Sequence, residues 1–343
     1  MQRKGIHYDV GAFTRGPHRP SSREPWDPAV VEREMSMIRH DLHCTAIRIS
    51  GHSVERLTMA ARLALEADLE VWLSPSNIEA TEAENLVYLR ECAQAAEKLR
   101  ADHGNLVFIV GCELTLFMKG LIAGETALDR LQTMFKPWRL IMSTIKHGSF
   151  HKRLNAFLGA AAAEIRRHFH GPLTYASGSW ENVDWTPFDF VGLDYYRDKI
   201  NRRFFRDKLR KIVSGSGKPV IVTEFGCCTY QGASDKGGYG WAVIDQSSEP
   251  HRLKSGIVRD EEEQVTYMTE LLDIFNEENV AGAFWFTFVM PLYPYKDESA
   301  YNLDTASYSV VASLPDGTGR AYPGLPWEPK QAFHALAAYY GNT

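Results

Sequence analysis

Eight short apolar runs, separated by longer stretches of helical periodicity, constrain this chain more than any other feature. They are "KGIHYDV" (4–10), "CTAIRIS" (44–50), "LEVWLSP" (69–75), "LVFIVGCE" (106–113), "PLTYAS" (172–177), "FDFVGLDYY" (188–196), "KPVIVTEF" (218–225) and "VAGAFWFTF" (280–288). Near-continuous apolar strands are what a parallel sheet buried on both faces requires. Helical patterns fall near 28–40, 53–67, 82–103, 150–169, 199–213, 260–278 and 328–340, whereas the gap between the fifth and sixth runs has room for one turn of helix at most. This alternation predicts a closed (β/α)8 TIM barrel. An open doubly wound sheet normally carries a glycine-rich phosphate loop after its first strand, and "YDVGAFTRG" lacks the G-x-G-x-x-G spacing.

The chain of 343 residues shows no composition break, linker or short repeat, so 1–343 is expected to form one barrel domain. Segment 118–148 has its own helical pattern and reads as an insertion after the fourth strand, and long connections, 226–258 and 289–327, follow the seventh and eighth. A net charge of −5 argues against a nucleic-acid partner, which would need a basic face. "RRFFRDKLRK" (202–211) is locally basic, but Phe204, Phe205, Leu209 and Ile212 make it an amphipathic helix with a solvated face. No apolar stretch has signal-peptide length at the start or approaches about 20 residues anywhere, so no membrane partner and a cytoplasmic address are expected. Five cysteines without metal-site spacing are expected to be reduced thiols, the adjacent Cys227 and Cys228 among them.

The seventh run hides from water and then finishes on a carboxylate, Glu224; the fourth finishes on Glu113. Taken alone, either glutamate fits a strand-end cap or an ion pair. In a closed barrel, however, the carboxyl ends of the strands floor the active site, so both charges are expected to face one pocket. Paired carboxylates allow one to be held protonated as an acid while the other stays ionised. In glycosidases a separation of about 5–5.5 Å selects retention and a wider one inversion.

With glutamates ending strands four and seven, "GCEL", "GPLTYASGSWENVDWTPFDFVGLDYY" and "KPVIVTEFG", the chain resembles the retaining glycoside hydrolases of the (β/α)8-barrel superfamily (clan A type). In motif it is most similar to the β-mannanase-like family with G-T-E-L at strand four, and the resemblance loosely covers 4–288. It implies Glu113 as acid/base and Glu224 as nucleophile. It also implies Tyr195 or Tyr196 as the tyrosine touching the nucleophile, Trp285 as the sugar-stacking tryptophan, and Arg48 beside Glu224. Arg48 would lower the Glu224 pKa and keep it ionised; an ion pair of Arg48 with Asp9 is the structural alternative. Where most of the superfamily has asparagine before the acid/base, this chain has Cys112, which bears on the substrate more than on the reaction.

Among the remaining polar and aromatic residues, His7 and Asp9 share a face of strand one, His52 follows strand two, and Asn77 follows strand three. They are candidates for binding sugar hydroxyls or satisfied wall residues. Trp180 and Trp241, on loops, either stack on sugar faces or pack beneath the loop. In 226–258, glycines around Tyr239 and Trp241 fit either a mobile lid or a loop packed on the rim. The expected partner is an oligosaccharide or small glycoside, with hydrolysis or transfer as the outcome and no cofactor or metal. Two other classes stay open: a metal-dependent barrel hydrolase assembling His7, Asp9 and His52 around Zn²⁺ or Mn²⁺, and a non-catalytic carbohydrate-binding barrel.

Overall fold

The structure is a computed structural model that describes residues 1–12, 21–315 and 317–342, the side chain of His147 excepted. All eight expected strands form: β1 (Arg3–Asp9), β2 (Ala46–Gly51), β3 (Glu70–Pro75), β4 (Leu106–Cys112), β5 (Leu173–Ala176), β6 (Val191–Asp194), β7 (Val220–Phe225) and β8 (Gly282–Trp285). They pair in parallel in the order β5, β4, β3, β2, β1, β8, β7, β6. A parallel bridge between Ser177 and Leu193 joins the two ends, closing the ring.

Alternation along the strands separates two apolar layers. Ala46, Trp72, Ile109, Phe190, Ile221 and Phe284 meet inside the barrel, whereas Ile47, Val71, Phe108 and Val222 face the helices. Near the amino ends of the strands the guanidinium of Arg3 lies over the rings of Trp72 and Phe190, 5.6 and 5.1 Å from their centroids. That end is therefore filled.

The outer helices are α1 (Pro28–His40), α2 (Val54–Glu66), α3 (Glu82–His103), α7 (Phe150–Arg166), α8 (Phe205–Gly215), α9 (Glu261–Glu277) and α10 (Gln331–Asn342). Their starts follow local chemistry. Asp27 accepts from the Ala29 amide, Thr81 and Glu84 form a reciprocal capping box, and Asp260 accepts from the amides of Glu262 and Glu263. The negative charge of Glu261, Glu262 and Glu263 also complements the positive helix start. The interval between β5 and β6 contains turns and no helix.

α8 begins later than the periodicity predicted, because the Asp198 carboxylate accepts from the amides of Ile200 and Asn201 and holds a turn there. Its basic face is neutralised locally: Arg206 and Arg210 share Glu278, and Arg202 pairs with Asp235.

After β4 comes α4 (Leu114–Phe117), and segment 118–148 contains α5 (Ala127–Phe135) and α6 (Pro137–His147). Arg130 anchors it, donating from Nε to the Leu116 carbonyl at 2.6 Å and from Nη1 to the Gly124 carbonyl at 3.0 Å. All five cysteines are free thiols. Among the described residues no helix is long and apolar enough to cross a membrane.

Candidate active site

Strands β2, β6 and β7 bring one cation and two carboxylates to the barrel mouth. Arg48, buried on β2, donates from Nη1 to Glu224 Oε2 at 3.1 Å, to the Thr223 carbonyl at 3.0 Å and to Asp194 Oδ1 at 3.4 Å. Tyr196, just past β6, donates its hydroxyl to the other Glu224 oxygen at 2.8 Å. The Glu224 carboxylate is thus held in place from two sides while its side chain keeps 17% exposure toward the mouth.

Asp194 closes β6 and is fully buried; it accepts from the Thr223 hydroxyl at 2.8 Å and from the Cys112 thiol at 3.2 Å. Sequence reasoning missed it, although "FVGLD" carries the same signal as strands four and seven: an apolar strand ending on a carboxylate. Cys112 is accordingly occupied in orienting Asp194. Donor atoms of Cys112, Asp194 and Glu224 lie within 4.8 Å of one another, but Arg48 fills the cation position between the two carboxylates.

Glu113 stands one residue past β4 in the left-handed region, at φ 43° and ψ 46°. A side chain in that conformation costs about 1–2 kcal/mol, and three backbone bonds hold it: its amide donates to the Ala176 carbonyl and its carbonyl accepts from the amides of Leu116 and Phe117. Burial first, then the charges of Asp194, Glu224 and Glu181, hold the Glu113 carboxyl well above the ordinary range.

Burial, followed by repulsion from Asp194, pushes Glu224 up to about 7 against the opposing pull of Arg48 and Tyr196. The pairing of Arg48 with Glu224 therefore stands and Arg48 does pull the Glu224 pKa down, but not far enough to keep the net value below the ordinary range. Desolvation and a second carboxylate outweigh one shared guanidinium. Three carboxyl groups against one arginine favour keeping a proton in the cluster, and Glu113 has the weakest compensation.

A fourth carboxylate fixes the turn that carries Glu113. Glu181 Oε1 accepts from the amide and hydroxyl of Thr115, at 3.1 and 2.7 Å, and Oε2 accepts from the Tyr175 hydroxyl and the Gly178 amide, at 2.8 and 3.1 Å. Tyr175 in turn accepts from the Leu114 amide at 2.8 Å. Burial raises the Glu181 pKa to about 7 despite these donors. Nothing in "SWENVDW" marks this residue, because Thr115, on the turn it fixes, lies 66 positions away on another strand end.

The other expected site residues divide. His7 is buried, with Nδ1 2.8 Å from the Thr287 hydroxyl and Nε2 2.6 Å from that of Ser50. Burial, then the Arg48 charge, push its pKa well down, so the ring is a neutral wall residue. Asp9 accepts from the Gly11 amide at 2.9 Å, and the ion pairs of Arg48 go to Asp194 and Glu224 in place of the alternative with Asp9. His52 stacks on Tyr88 at 5.2 Å, and its Nδ1 lies 3.2 Å from the Ser76 carbonyl. His7, Asp9 and His52 form no metal-ligating cluster among the described residues. Asn77 lines a cavity of about 20 Å³ that shares Cys112 as a wall, room for one water.

Trp180 donates its indole N–H to the Thr115 hydroxyl at 2.8 Å and packs against the insertion, half-buried beside the Glu113 turn. Two aromatic assignments need correction. Tyr195 is buried against Phe205 and donates to its carbonyl at 2.9 Å, leaving Tyr196 as the partner of Glu224. Trp285 has no exposed surface; it packs edge-on to Phe225 and donates to the Tyr308 carbonyl at 3.0 Å. Alternation turns the next residue, Phe286, toward the mouth, half-buried with its ring 4.8 Å from His7.

The 226–258 connection is packed on the rim. Tyr308 accepts from the Gly240 amide at 2.7 Å and donates to Gly237, while Tyr230 donates to Gly240. A Cβ at Gly240 would lie 2.5 Å from the Cys228 sulfur, so only glycine fits there. Trp241 is half-buried on this packed loop. Tyr239, unremarked as a binding residue in the sequence, lies near enough for the Glu113 charge to raise its pKa, after burial.

No protein-family profile and no curated protein matches the chain by sequence. Solved structures do match in fold. A GH113 β-1,4-mannanase superposes with a TM-score of 0.63 at 14% identity, covering 100% of this chain and 99% of that one. The GH113 β-mannanase of Alicyclobacillus acidocaldarius gives 0.62 at 15% identity over 99% and 97%. A β-glucuronidase of Bacteroides uniformis gives 0.56 at 15%, over 99% of this chain and 35% of the longer enzyme. The chain thus has the (β/α)8-barrel fold of these glycoside hydrolases, with its charged cluster at the end where such barrels hold their active sites.

Proposed function

We propose that this chain is a retaining glycoside hydrolase acting on the O-glycosidic bonds of an oligosaccharide or small glycoside. The observation that carries the reading is the unequal environment of the two glutamates. Glu224 is oriented by Arg48 and Tyr196, the arrangement a nucleophile needs. Glu113, held in a left-handed conformation and surrounded by negative charge, keeps its proton for a leaving group.

In the first step a Glu224 oxygen attacks the anomeric carbon as the glycosidic C–O bond breaks, and the Glu113 proton passes to the departing oxygen. In the second, Glu113, now ionised, takes a proton from water. The resulting hydroxide displaces Glu224 from the glycosyl ester and retains the original configuration. An acceptor alcohol in place of water gives transfer. Arg48 and the Tyr196 hydroxyl hold the carboxylate before attack and after release.

The test uses aryl β-mannosides, glucosides and glucuronides. Glu224→Ala should be inactive and regain turnover with azide, giving an azide product of inverted configuration. Glu113→Ala should spare dinitrophenyl glycosides, with azide accelerating only the second step and retaining configuration. Near-normal activity of both variants on a turned-over substrate would assign the chemistry to another pair, and absence of turnover across a broad glycoside panel would reject the enzyme reading.

A further inference from the structure

We infer that the outer face of α6 docks the protein onto an anionic lipid surface. On this 11-residue helix, Trp138, Ile141, Met142 and Ile145 are 62, 59, 58 and 74% exposed. The spacing of three and four residues sets them in one stripe, and Phe135, 59% exposed, extends it at the end of α5. The opposite side is the one that packs: Ser143 is buried and Leu140 lies half-buried against the insertion's own small core. Soluble proteins rarely leave such a contiguous apolar stripe in water without a partner for it.

Charge identifies the partner. Between Asp129 and Glu164 the chain has no carboxylate side chain, while Lys136, Arg139 and Lys146 lie on or beside α6. The whole chain carries a net charge of −5, so this local excess of cations is opposite in sign to the rest of the molecule. Arg139 and Lys146 fall along one border of the apolar stripe, and the Arg139 guanidinium sits 5.3 Å over the Trp138 ring. An apolar face with tryptophan, bordered by Lys and Arg, is the composition of helices that lie in a membrane interface without spanning it. The absence of membrane partners expected from the lack of spanning segments does not extend to such a surface.

The stripe also borders the mouth. The Phe135 ring packs edge-on against Tyr239 at 4.8 Å, and Tyr239 is within reach of the Glu113 charge. Docking through α6 would therefore bring membrane-attached glycosides to the barrel opening, a consequence that rests on the glycosidase reading; the docking itself does not.

Co-sedimentation with vesicles tests the docking without any turnover. The chain should bind vesicles of mixed phosphatidylglycerol and phosphatidylcholine at least tenfold more tightly than phosphatidylcholine alone, and less tightly as salt rises. Each removed cation should weaken binding about fivefold, so Lys136→Gln, Arg139→Gln and Lys146→Gln together should weaken it about a hundredfold. Ile145→Ser should weaken it with no change in melting temperature, and Glu224→Ala should bind as the parent does, which separates this test from that of the catalytic reading. Equal binding to both vesicle types would overturn the inference. So would a dimer in solution that Ile145→Ser disperses in a protein that ignores vesicles, since a second copy would then cover the stripe.

Discussion

At one side of the barrel wall Glu34 of α1 is fully buried, with Oε2 accepting from Arg23 and the Tyr8 hydroxyl and Oε1 accepting from the Trp327 indole at 2.7 Å. At the mouth, Arg48 is equally buried, but it faces Asp194 and Glu224 with Glu113 close behind. The first cluster matches one guanidinium to one carboxylate and satisfies both oxygens, which is what a structural ion pair needs. The second leaves negative charge in excess and aims it at solvent, which destabilises the fold and raises the carboxyl pKa values. Buried charge holds structure where it balances; an imbalance at the end of a barrel marks chemistry.

The sharpest way to break this comparison is to remove one carboxylate from each cluster. Glu224→Ala should lower kcat roughly 10⁴-fold with little loss of stability. Glu34→Ala should leave turnover at the mouth nearly unchanged but cost about 3–5 kcal/mol of folding free energy, because Arg23 is stranded. Denaturant titration and kinetics of the two purified variants distinguish them. A stability loss for Glu224→Ala as large as that for Glu34→Ala would erase the distinction.

The next effect is on pH. Glu224 is raised from 4.5 to about 7 in the folded chain, so between those values the folded state binds more protons than the unfolded one. Stability attributable to this group is present below about pH 4.5 and is lost as pH rises toward 7 and above. Glu113, raised in the same direction by burial and then by the charges of Asp194, Glu224 and Glu181, contributes with the same sign. Glu113→Gln should therefore raise the melting temperature by a few degrees at pH 8, at roughly 1–2 °C per kcal/mol for a chain of this length, and change it little at pH 4. For activity the same order places the acid limb, ionisation of Glu224, near pH 7 and the optimum on its alkaline side. An optimum near pH 5 would contradict the cluster's charge imbalance.

A smaller effect is expected at Glu181, which holds the Glu113 turn without facing the reaction. Glu181→Gln puts an amide N–H₂ where an oxygen accepted two hydrogen bonds. Turnover of poorly leaving glycosides should fall about tenfold and that of dinitrophenyl glycosides hardly at all, with the alkaline limb moving down as a negative charge beside Glu113 disappears. Equal losses for both substrates would make Glu181 a general structural residue. The smallest effect belongs to Trp241→Ala: packed on the rim, it should lower the melting temperature by a few degrees and leave KM nearly unchanged, whereas a rise in KM without loss of stability would restore it as a sugar contact.

How much of this was legible in the chain varies from residue to residue. Apolar runs that end on a carboxylate, such as "VFIVGCE" and "VIVTEF", reveal strand, burial and direction together. A charge ending a buried strand has one place to go once the barrel closes, and Asp194 was open to the same reasoning. The choice between Trp285 and Phe286 turns on strand parity, which needs one residue of β8 placed first: Phe284 lies inside the barrel and Trp285 outside it, so Phe286 turns inward again. The choice between Tyr195 and Tyr196 needs the same anchor, an inward Asp194 two positions before Tyr196.

Periodicity and strand-end chemistry, which are local properties, determined the eight strands, the principal helices and the two glutamates. Tertiary structure decided what depends on neighbours distant in sequence. Glu181 reaches Thr115 across 66 positions, and Arg48 reaches Glu224 across 176. It also decided the direction of the Glu224 pKa, because desolvation and the sum of nearby charges exist only once the chain has closed around them.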